Sequence, residues 1–254
     1  MSPRAKRVLE GLAVLLFWLG LWALLARLTG QELLLPSPRQ VLRTLAALAG
    51  TGDFWLAAGR SILRVLTGLF SATLLGVLLA ALTERSRLAR LLLAPAMTLI
   101  KSTPVASFII LALLWLGRDV LPAFITALMV LPVVWSNVSA GLSSRDGQLL
   151  ELARVYRLPP LRVLRRITVP SVLPYFRSAL RASLGMGWKA GIAAEVLTVP
   201  QRSIGRNLFE AKLYLETSEL FAWTLTVILL SLAIERLLLR LVADSGRKEG
   251  KAHA

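Results

Sequence analysis

The stretch SSRDGQLLELARVYRLPPLRVLRRITVP, residues 143–170, lies between two apolar runs and most constrains the fold of this 254-residue chain. Asp146 can cap a short helix, which the Pro159–Pro160 pair then ends. A second short helix can begin at Pro160, because proline is well tolerated in a first helical turn. The pattern therefore predicts a knob of two short helices between membrane-spanning segments.

Both predicted short helices are amphipathic. The first has an apolar face formed by Leu149, Leu150, Ala153 and Tyr156. Its other side carries the charges of Glu151, Arg154 and Arg157. In the second, Leu161, Leu164 and Ile167 alternate with Arg162, Arg165 and Arg166. Such a knob could fit a groove on a partner protein or could lie on anionic lipid headgroups, and the pattern leaves both open.

The composition of the whole chain indicates an integral membrane protein. Apolar residues make up 56% of the chain and charged residues 17%, yet the formal net charge is +16. So few charges exclude a disordered basic tail or a nucleic-acid-packaging protein. A soluble enzyme of this size could not bury so much Leu and Ala in one core. Basic loops on one side of a membrane account for both facts.

The near absence of cysteine and histidine removes several chemistries. The chain has no Cys and one His, which is His253 in the basic tail. Thiolate nucleophiles, disulfides, cysteine-ligated zinc and histidine catalysis are therefore excluded. We expect no catalytic residue and no metal site.

Six apolar segments are long enough to cross a bilayer, which takes about 20 residues each. They cover residues 8–28, 61–82, 91–116, 120–142, 172–199 and 220–241. The first outlasts the apolar core of a signal peptide and is read as a retained helix. The sequence thus predicts an all-α polytopic fold, one domain over 1–254 with its core at about 55–241.

The loop charges predict the orientation. With the N-terminus in the cytoplasm, seventeen Lys and Arg fall on that side and eight on the other. Because positive charge is enriched in cytoplasmic loops, both termini are predicted inside. Six of the seventeen lie in the 143–170 segment.

The 143–170 segment resembles the EAA signature of permease subunits in ABC importers. That signature reads E-A-A, three residues, G, nine residues, I-x-L-P, and Glu151, Ala153, Ile167 and Pro170 match it in spacing. Three positions depart from it: Leu152, Arg157 and Val169. Arg157 replaces the glycine that lets the chain turn, and we expect Pro159–Pro160 to supply that break instead.

Further motifs resemble the sulfonate, nitrate and taurine branch of this family, and the similarity covers about residues 33–241. They are Leu-Pro-Ser-Pro at 35–38, Ser-Ile-Leu-Arg at 61–64 followed by Gly68, and the run from Gly185 to Leu197.

The resemblance implies the type I ABC importer permease fold and a set of partners. Two permease subunits, here expected to be identical, would form the pathway in the bacterial inner membrane. Two ATPase subunits would hold ATP and Mg, and a periplasmic or lipoprotein binding protein would deliver the substrate. The docking residues would be Glu151, Leu152, Ala153, Arg154, Tyr156, Arg157, Leu158, Leu161, Ile167 and Pro170. This chain has no phosphate-binding loop and is expected to be no enzyme and to hold no cofactor.

Polar residues inside the predicted spans are candidates for the pathway, since charges there are expensive. They are Lys101, Pro104, Asn137, Lys189 and Glu195. We expect Pro104, with Ser102 and Thr103, to kink the third span. The alternatives are that Lys189 pairs with Glu195 or a neighbouring helix, and that Asn137 bonds across helices.

The fifth span carries a stripe of small residues at four-residue spacing, which favours close helix packing. It consists of Ala179, Ser183, Gly187 and Gly191.

The function predicted from the sequence is permease for a small organic anion of the sulfonate, taurine or nitrate type. The same architecture importing a vitamin precursor, such as a thiamine pyrimidine, is an alternative. A self-sufficient secondary transporter is a weaker one, because no internal repeat is visible and Glu195 is the only acid deep in a span.

Overall fold

A computed structural model describes the backbone of residues 3–250 and the side chains of residue 6 and residues 9–237. Within this range the chain is helical and forms no strand, which confirms the all-α prediction. The helices are α1 (Pro3–Thr29), α2 (Pro38–Ala49), α3 (Gly52–Arg85), α4 (Arg87–Ser102), α5 (Val105–Ala112), α6 (Leu121–Ser143), α7 (Gly147–Val155), α8 (Pro160–Val163), α9 (Val169–Thr198), α10 (Ile204–Leu213) and α11 (Thr217–Gly250). His253 lies outside the described residues.

The predicted number of membrane helices fits this set. Four helices are long and apolar enough to span a bilayer: α1, α3, α6 and the 217–237 part of α11. The α4–α5 pair qualifies as a fifth, bent span. With 30 residues, α9 is also long enough, although it carries four charged residues: Arg177, Arg181, Lys189 and Glu195.

Helices α3, α6 and α9 pack against one another and form the core. Leu69, Val130 and Val134 are buried where α3, α6 and α9 meet. The helices approach closely because small residues face their neighbours: a Cβ on Gly68 would collide with the carbonyl oxygen of Ala123. Close packing is the main force between helices in lipid, where apolar surface gains little by leaving the solvent.

The third predicted span is not one continuous helix. It divides into α4 and α5, whose axes differ by 105°. The break falls at Thr103 and Pro104, because proline lacks the N–H that would continue the ladder and disfavours helical backbone in the residue before it. Pro95, in contrast, stays inside α4. The expected kink is therefore a full break.

Two helices were not predicted at all. Residues 38–49 and 204–213, expected to be loop, form α2 and α10. Ser37 caps α2, which begins with Pro38, and Ser203 caps α10 by accepting the backbone N–H of Arg206 at 3.0 Å. In addition, α3 begins at Gly52, nine residues before the predicted start of the second span.

The knob is partly as predicted. Asp146 caps α7, its Oδ1 accepting the backbone N–H of Gln148 at 2.8 Å. The predicted second short helix is wrong as a separate unit, because α8 lasts four residues and then continues through a π-helical turn, Leu164–Thr168, into α9. The second half of the knob is thus the direct N-terminal extension of the core helix α9, whereas α7 remains a separate helix.

Candidate functional site

The C-terminus of α7 is closed by a left-handed residue. Arg157 has φ +49°. The backbone N–H of Leu158 donates to the carbonyl of Ala153 at 2.9 Å, and that of Arg157 donates to Arg154 at 3.0 Å. This pair of bonds is the Schellman motif, whose left-handed position favours glycine. Arg157 therefore adopts the turn that the EAA signature assigns to glycine, and Pro159–Pro160 need not replace it.

The outer surface of the 143–170 segment carries several exposed apolar side chains among its exposed charged ones. Exposed fractions are 54% for Leu152, 77% for Val155, 70% for Tyr156 and 58% for Leu161. Leu149 is also exposed, whereas Ala153 is buried. The predicted apolar face is therefore wrong in one respect: Ala153 faces the protein while Leu149 and Tyr156 face outward. We call Leu149, Leu152, Val155, Tyr156 and Leu161 the α7–α8 apolar row.

A groove of about 720 Å³ lies between the C-terminus of α3 and the 143–170 segment. Its charged lining comes from Glu84, Arg85, Arg145, Arg154 and Arg157. Four arginines against one glutamate make it a basic recess beside the apolar row.

Glu84 holds this region together with both carboxylate oxygens. Oε1 accepts from Nη2 of Arg145 at 2.7 Å, and Oε2 accepts from Nη2 of Arg90 at 3.1 Å. The two arginines also donate from Nε to backbone carbonyls, Arg145 to Leu142 and Arg90 to Thr83. One carboxylate thus joins the ends of α3, α4 and α6.

At the opposite end of α9, Glu195 is fully buried and forms several polar contacts. Ser61 on α3 donates its hydroxyl to Oε2 at 2.6 Å, and the backbone N–H of Gly205 donates to the same oxygen at 3.2 Å. Arg64 donates from Nη1 to Oε1 at 3.3 Å. A buried carboxylate is tolerated when charge and hydrogen bonds compensate it in this way. Glu195 therefore joins α3, α9 and α10, and no open surface of this chain reaches it.

Arg64 also extends outward from this cluster. Its Nη2 donates to Oδ1 of Asp119 at 2.6 Å and to the carbonyl of Gln201 at 3.1 Å. Asp119 lies between α5 and α6, and Gln201 lies between α9 and α10. The predicted alternative of a Lys189–Glu195 pair does not form, since Glu195 takes Arg64 and Lys189 is exposed.

Lys101 and Pro104 are exposed at the α4–α5 break, and Lys189 is exposed on α9. Neither lysine forms an ion pair with any described residue. Asn137 is half-buried and donates to the carbonyl of Val133 in its own helix at 2.9 Å, so the predicted cross-helix bond from its amide is wrong.

The small-residue stripe of α9 faces inward along its whole length. Ala179, Ser183, Gly187 and Gly191 are all buried. A Cβ on Gly191 would lie 2.6 Å from Oγ1 of Thr126 on α6 and 2.7 Å from Cγ2 of Val65 on α3. The stripe therefore contacts helices of the same subunit.

The arrangement of long helices around α9, with a capped knob at one end, can be compared with known proteins. Residues 72–244 match the family described as "Binding-protein-dependent transport system inner membrane component". The chain belongs to this family. It is a membrane-embedded ABC permease subunit, its relatives are transport permeases, and its resemblance to the taurine, sulfonate and nitrate branch is confirmed.

Relatives of this permease match it over most of their length. A probable ABC transporter permease protein of Brucella melitensis is 30% identical over 90% of this chain and 93% of its own. The taurine transport system permease protein TauC of Escherichia coli is 26% identical over 92% and 87%. The aliphatic sulfonates transport permease protein SsuC of Bacillus subtilis is 25% identical over 87% and 81%.

A solved structure shares the permease fold. The crystal structure of an amino acid ABC transporter with histidines matches with a TM-score of 0.57 and 16% identity, covering 74% of this chain and 90% of that one.

Proposed function

We propose that this permease lines the pathway of an ATP-driven importer for a small organic anion. In this proposal two copies of the chain form the pathway in the bacterial inner membrane, with both termini in the cytoplasm. Two ATPase subunits with ATP and Mg bind on the cytoplasmic side, and a periplasmic or lipoprotein binding protein delivers the substrate on the other.

The observation that carries the proposal is the α7–α8 apolar row. Leu149, Leu152 and Val155 of this row stand on α7, which is capped at both ends, by Asp146 and by the Schellman turn at Arg157. Exposed apolar rows beside charged recesses are typical of protein-binding surfaces. An ATPase seated there would cover Leu152, Val155 and Tyr156, and the arginines of the recess would meet acidic groups on its rim.

The proposed pathway uses Lys101 and Lys189. Lys101 and Lys189 are exposed and have no carboxylate partner in the described part of the chain. An ammonium group inside a span is costly unless water, lipid headgroups or an anion surround it. A sulfonate or similar anion would supply that charge, which agrees with the taurine and sulfonate names of the relatives. Pro104 and Asn137 would lie beside the same path.

The docking part is tested by co-purification with the ATPase encoded beside the gene. We expect Leu152→Glu and Val155→Glu to abolish ATPase binding and substrate uptake. Leu213→Glu is the matched control, because Leu213 is similarly exposed but lies on α10 at the other end of the bundle. Intact ATPase binding in both knob variants would contradict docking and would favour contact of the apolar row with lipid.

The substrate class is tested with reconstituted transporter. We expect ATP-dependent uptake of taurine or another sulfonate, and competition by the unlabelled anion. Uptake of a thiamine pyrimidine without effect of sulfonates would instead support the vitamin-precursor alternative. Uptake in the absence of the ATPase would support a secondary transporter.

A further inference from the structure

Glu84 occupies a position that its own helix disfavours. It is in the last turn of α3, two residues before the cap at Ser86. The C-terminal end of a helix carries partial negative charge, so a carboxylate there is repelled and a basic residue is preferred. Arg145 and Arg90 offset that repulsion through both carboxylate oxygens. The Glu84 carboxylate is therefore stabilised at the end of α3 by its ion pairs with Arg145 and Arg90.

The backbone beside Glu84 is fixed to the core. The preceding residue, Thr83, is buried and its hydroxyl accepts from the indole N–H of Trp135 on α6 at 3.2 Å. Glu84 itself and Arg145 are about a quarter exposed, at 27% and 22% of their side chains. Partial burial reduces screening of the ion pair by water and salt. The Glu84 carboxylate thus links Arg145 and Arg90 from a backbone that is anchored in the core.

Those two arginines belong to different parts of the molecule. Arg145 directly precedes the Asp146 cap of α7 and also donates to the carbonyl of Leu142 on α6, so it joins the knob to the core. Arg90 lies in the first turn of α4. A single extended residue, Ser86, separates α3 from α4, and Arg90 reaches back across it from α4 to Glu84. Farther along α4, Met97 is buried against the rest of the protein. At its far end α4 carries Lys101 and the break at Pro104.

We infer that Glu84 is a positioning residue that transmits displacement of the knob to α4, and so to the α4–α5 break. When the bound ATPase displaces Arg145, the Glu84 carboxylate is displaced with it and pulls on the ion-paired Arg90. Helix α4 then pivots at Ser86. The inference rests on the proposed docking of the ATPase at the α7–α8 apolar row. It adds the route by which that motion reaches the membrane interior.

The test uses the complete transporter in proteoliposomes, with ATP hydrolysis and taurine uptake measured together. Glu84→Gln keeps the shape and removes the charge. We expect this variant to retain the ATPase and its hydrolysis, while the taurine imported per ATP falls about tenfold, as for loss of a charge-assisted bond. Glu210→Gln is the matched control, because its ion pair with Arg206 lies on α10 and away from the knob.

Charge reversal separates coupling from local stability. The double variant Glu84→Arg with Arg145→Glu restores the ion pair to the knob, but Arg90 then faces an arginine. We expect this variant to bind the ATPase but to import little taurine per ATP. Adding Arg90→Glu rebuilds both links, and we expect import per ATP to recover. An unchanged amount of taurine imported per ATP in Glu84→Gln would overturn the inference. Loss of ATPase binding in that variant would also overturn it, because Glu84 would then support docking rather than coupling. Neither outcome would contradict docking of the ATPase on the wild-type permease. A wild-type permease that binds no ATPase would instead overturn the proposed function.

Discussion

Arg64 on α3 and Glu195 on α9 form an ion pair 3.3 Å long between residues 131 positions apart in the sequence. Glu195 is fully buried, and the Arg64 side chain is 13% exposed. Breaking a buried pair leaves an uncompensated charge, which typically costs about 3–5 kcal/mol. The pair therefore makes one rigid unit of two core helices.

We predict that Arg64→Ala destabilises the permease by about 3 kcal/mol, while adding Glu195→Gln recovers most of that loss, since no bare carboxylate then remains buried. The measurement is thermal unfolding in detergent. Asp119→Asn is the control and should change stability by less than about 1 kcal/mol, because Asp119 is exposed. Equal losses for the single and double variants would show that Arg64 acts by packing alone.

We predict opposite effects for two glycine substitutions at the C-terminal end of α7, one within the helix and one in the turn that follows it. Arg157→Gly should stabilise the knob by up to about 1 kcal/mol, because a left-handed backbone costs other residues about 1–2 kcal/mol. Arg154→Gly, three residues earlier in the helix, should destabilise it by about 1 kcal/mol. Protection of the α7 amides against hydrogen exchange measures both. Weaker protection in Arg157→Gly would mean that a contact of the arginine side chain stabilises the knob by more than the left-handed backbone destabilises it.

We predict that α9 tolerates a methyl group on one face only. Gly191→Ala would place Cβ against Thr126 and Val65, and overpacking of this kind typically costs about 1–3 kcal/mol. At Gly185 of the same helix nothing lies within 4 Å, so Gly185→Ala should be neutral or stabilising. Melting temperatures of the two purified variants make the comparison. Similar melting temperatures would show that α3 and α6 can move apart at no cost.

We predict that Lys101→Ala and Lys189→Ala raise the KM for an anionic substrate about tenfold, the effect of losing roughly 1.4 kcal/mol of charge attraction. Uptake of radiolabelled taurine by cells provides the measurement. Lys212→Ala serves as the control, since this lysine is also exposed but belongs to α10. Unchanged uptake in both pathway variants would remove the lysines from the path.

Local signals in the sequence located much of this structure. The apolar run at 120–142 became α6 within one residue at each end, and the Asp146 cap formed as its position before a helical pattern indicates. Helices α2 and α10 could have been found from Ser37–Pro38 and Ser203, which are N-terminal signals. They were missed because neither is apolar enough to be read as a span.

Other features could not be predicted from local pattern. Nothing near Glu195 in the sequence points to Arg64 or Ser61, because their contacts exist only after α3 and α9 pack. The same holds for Glu84, whose partners Arg90 and Arg145 lie on different elements. The one local hint was electrostatic: an acidic residue stood in the last turn of a helix where a basic one is preferred.

The break between α4 and α5 also has a consequence for the bilayer. Helix α4 has 16 residues and is about 24 Å long, whereas the hydrocarbon core is about 30 Å thick. If α4 starts at one membrane interface and runs along the bilayer normal, Lys101 lies about 21 Å deep and does not reach the opposite interface. An ammonium at that depth would need water, a partner, or the reach of its own side chain toward the headgroups. Water drawn to the α4–α5 break would shorten the anhydrous distance that a charged solute has to cross.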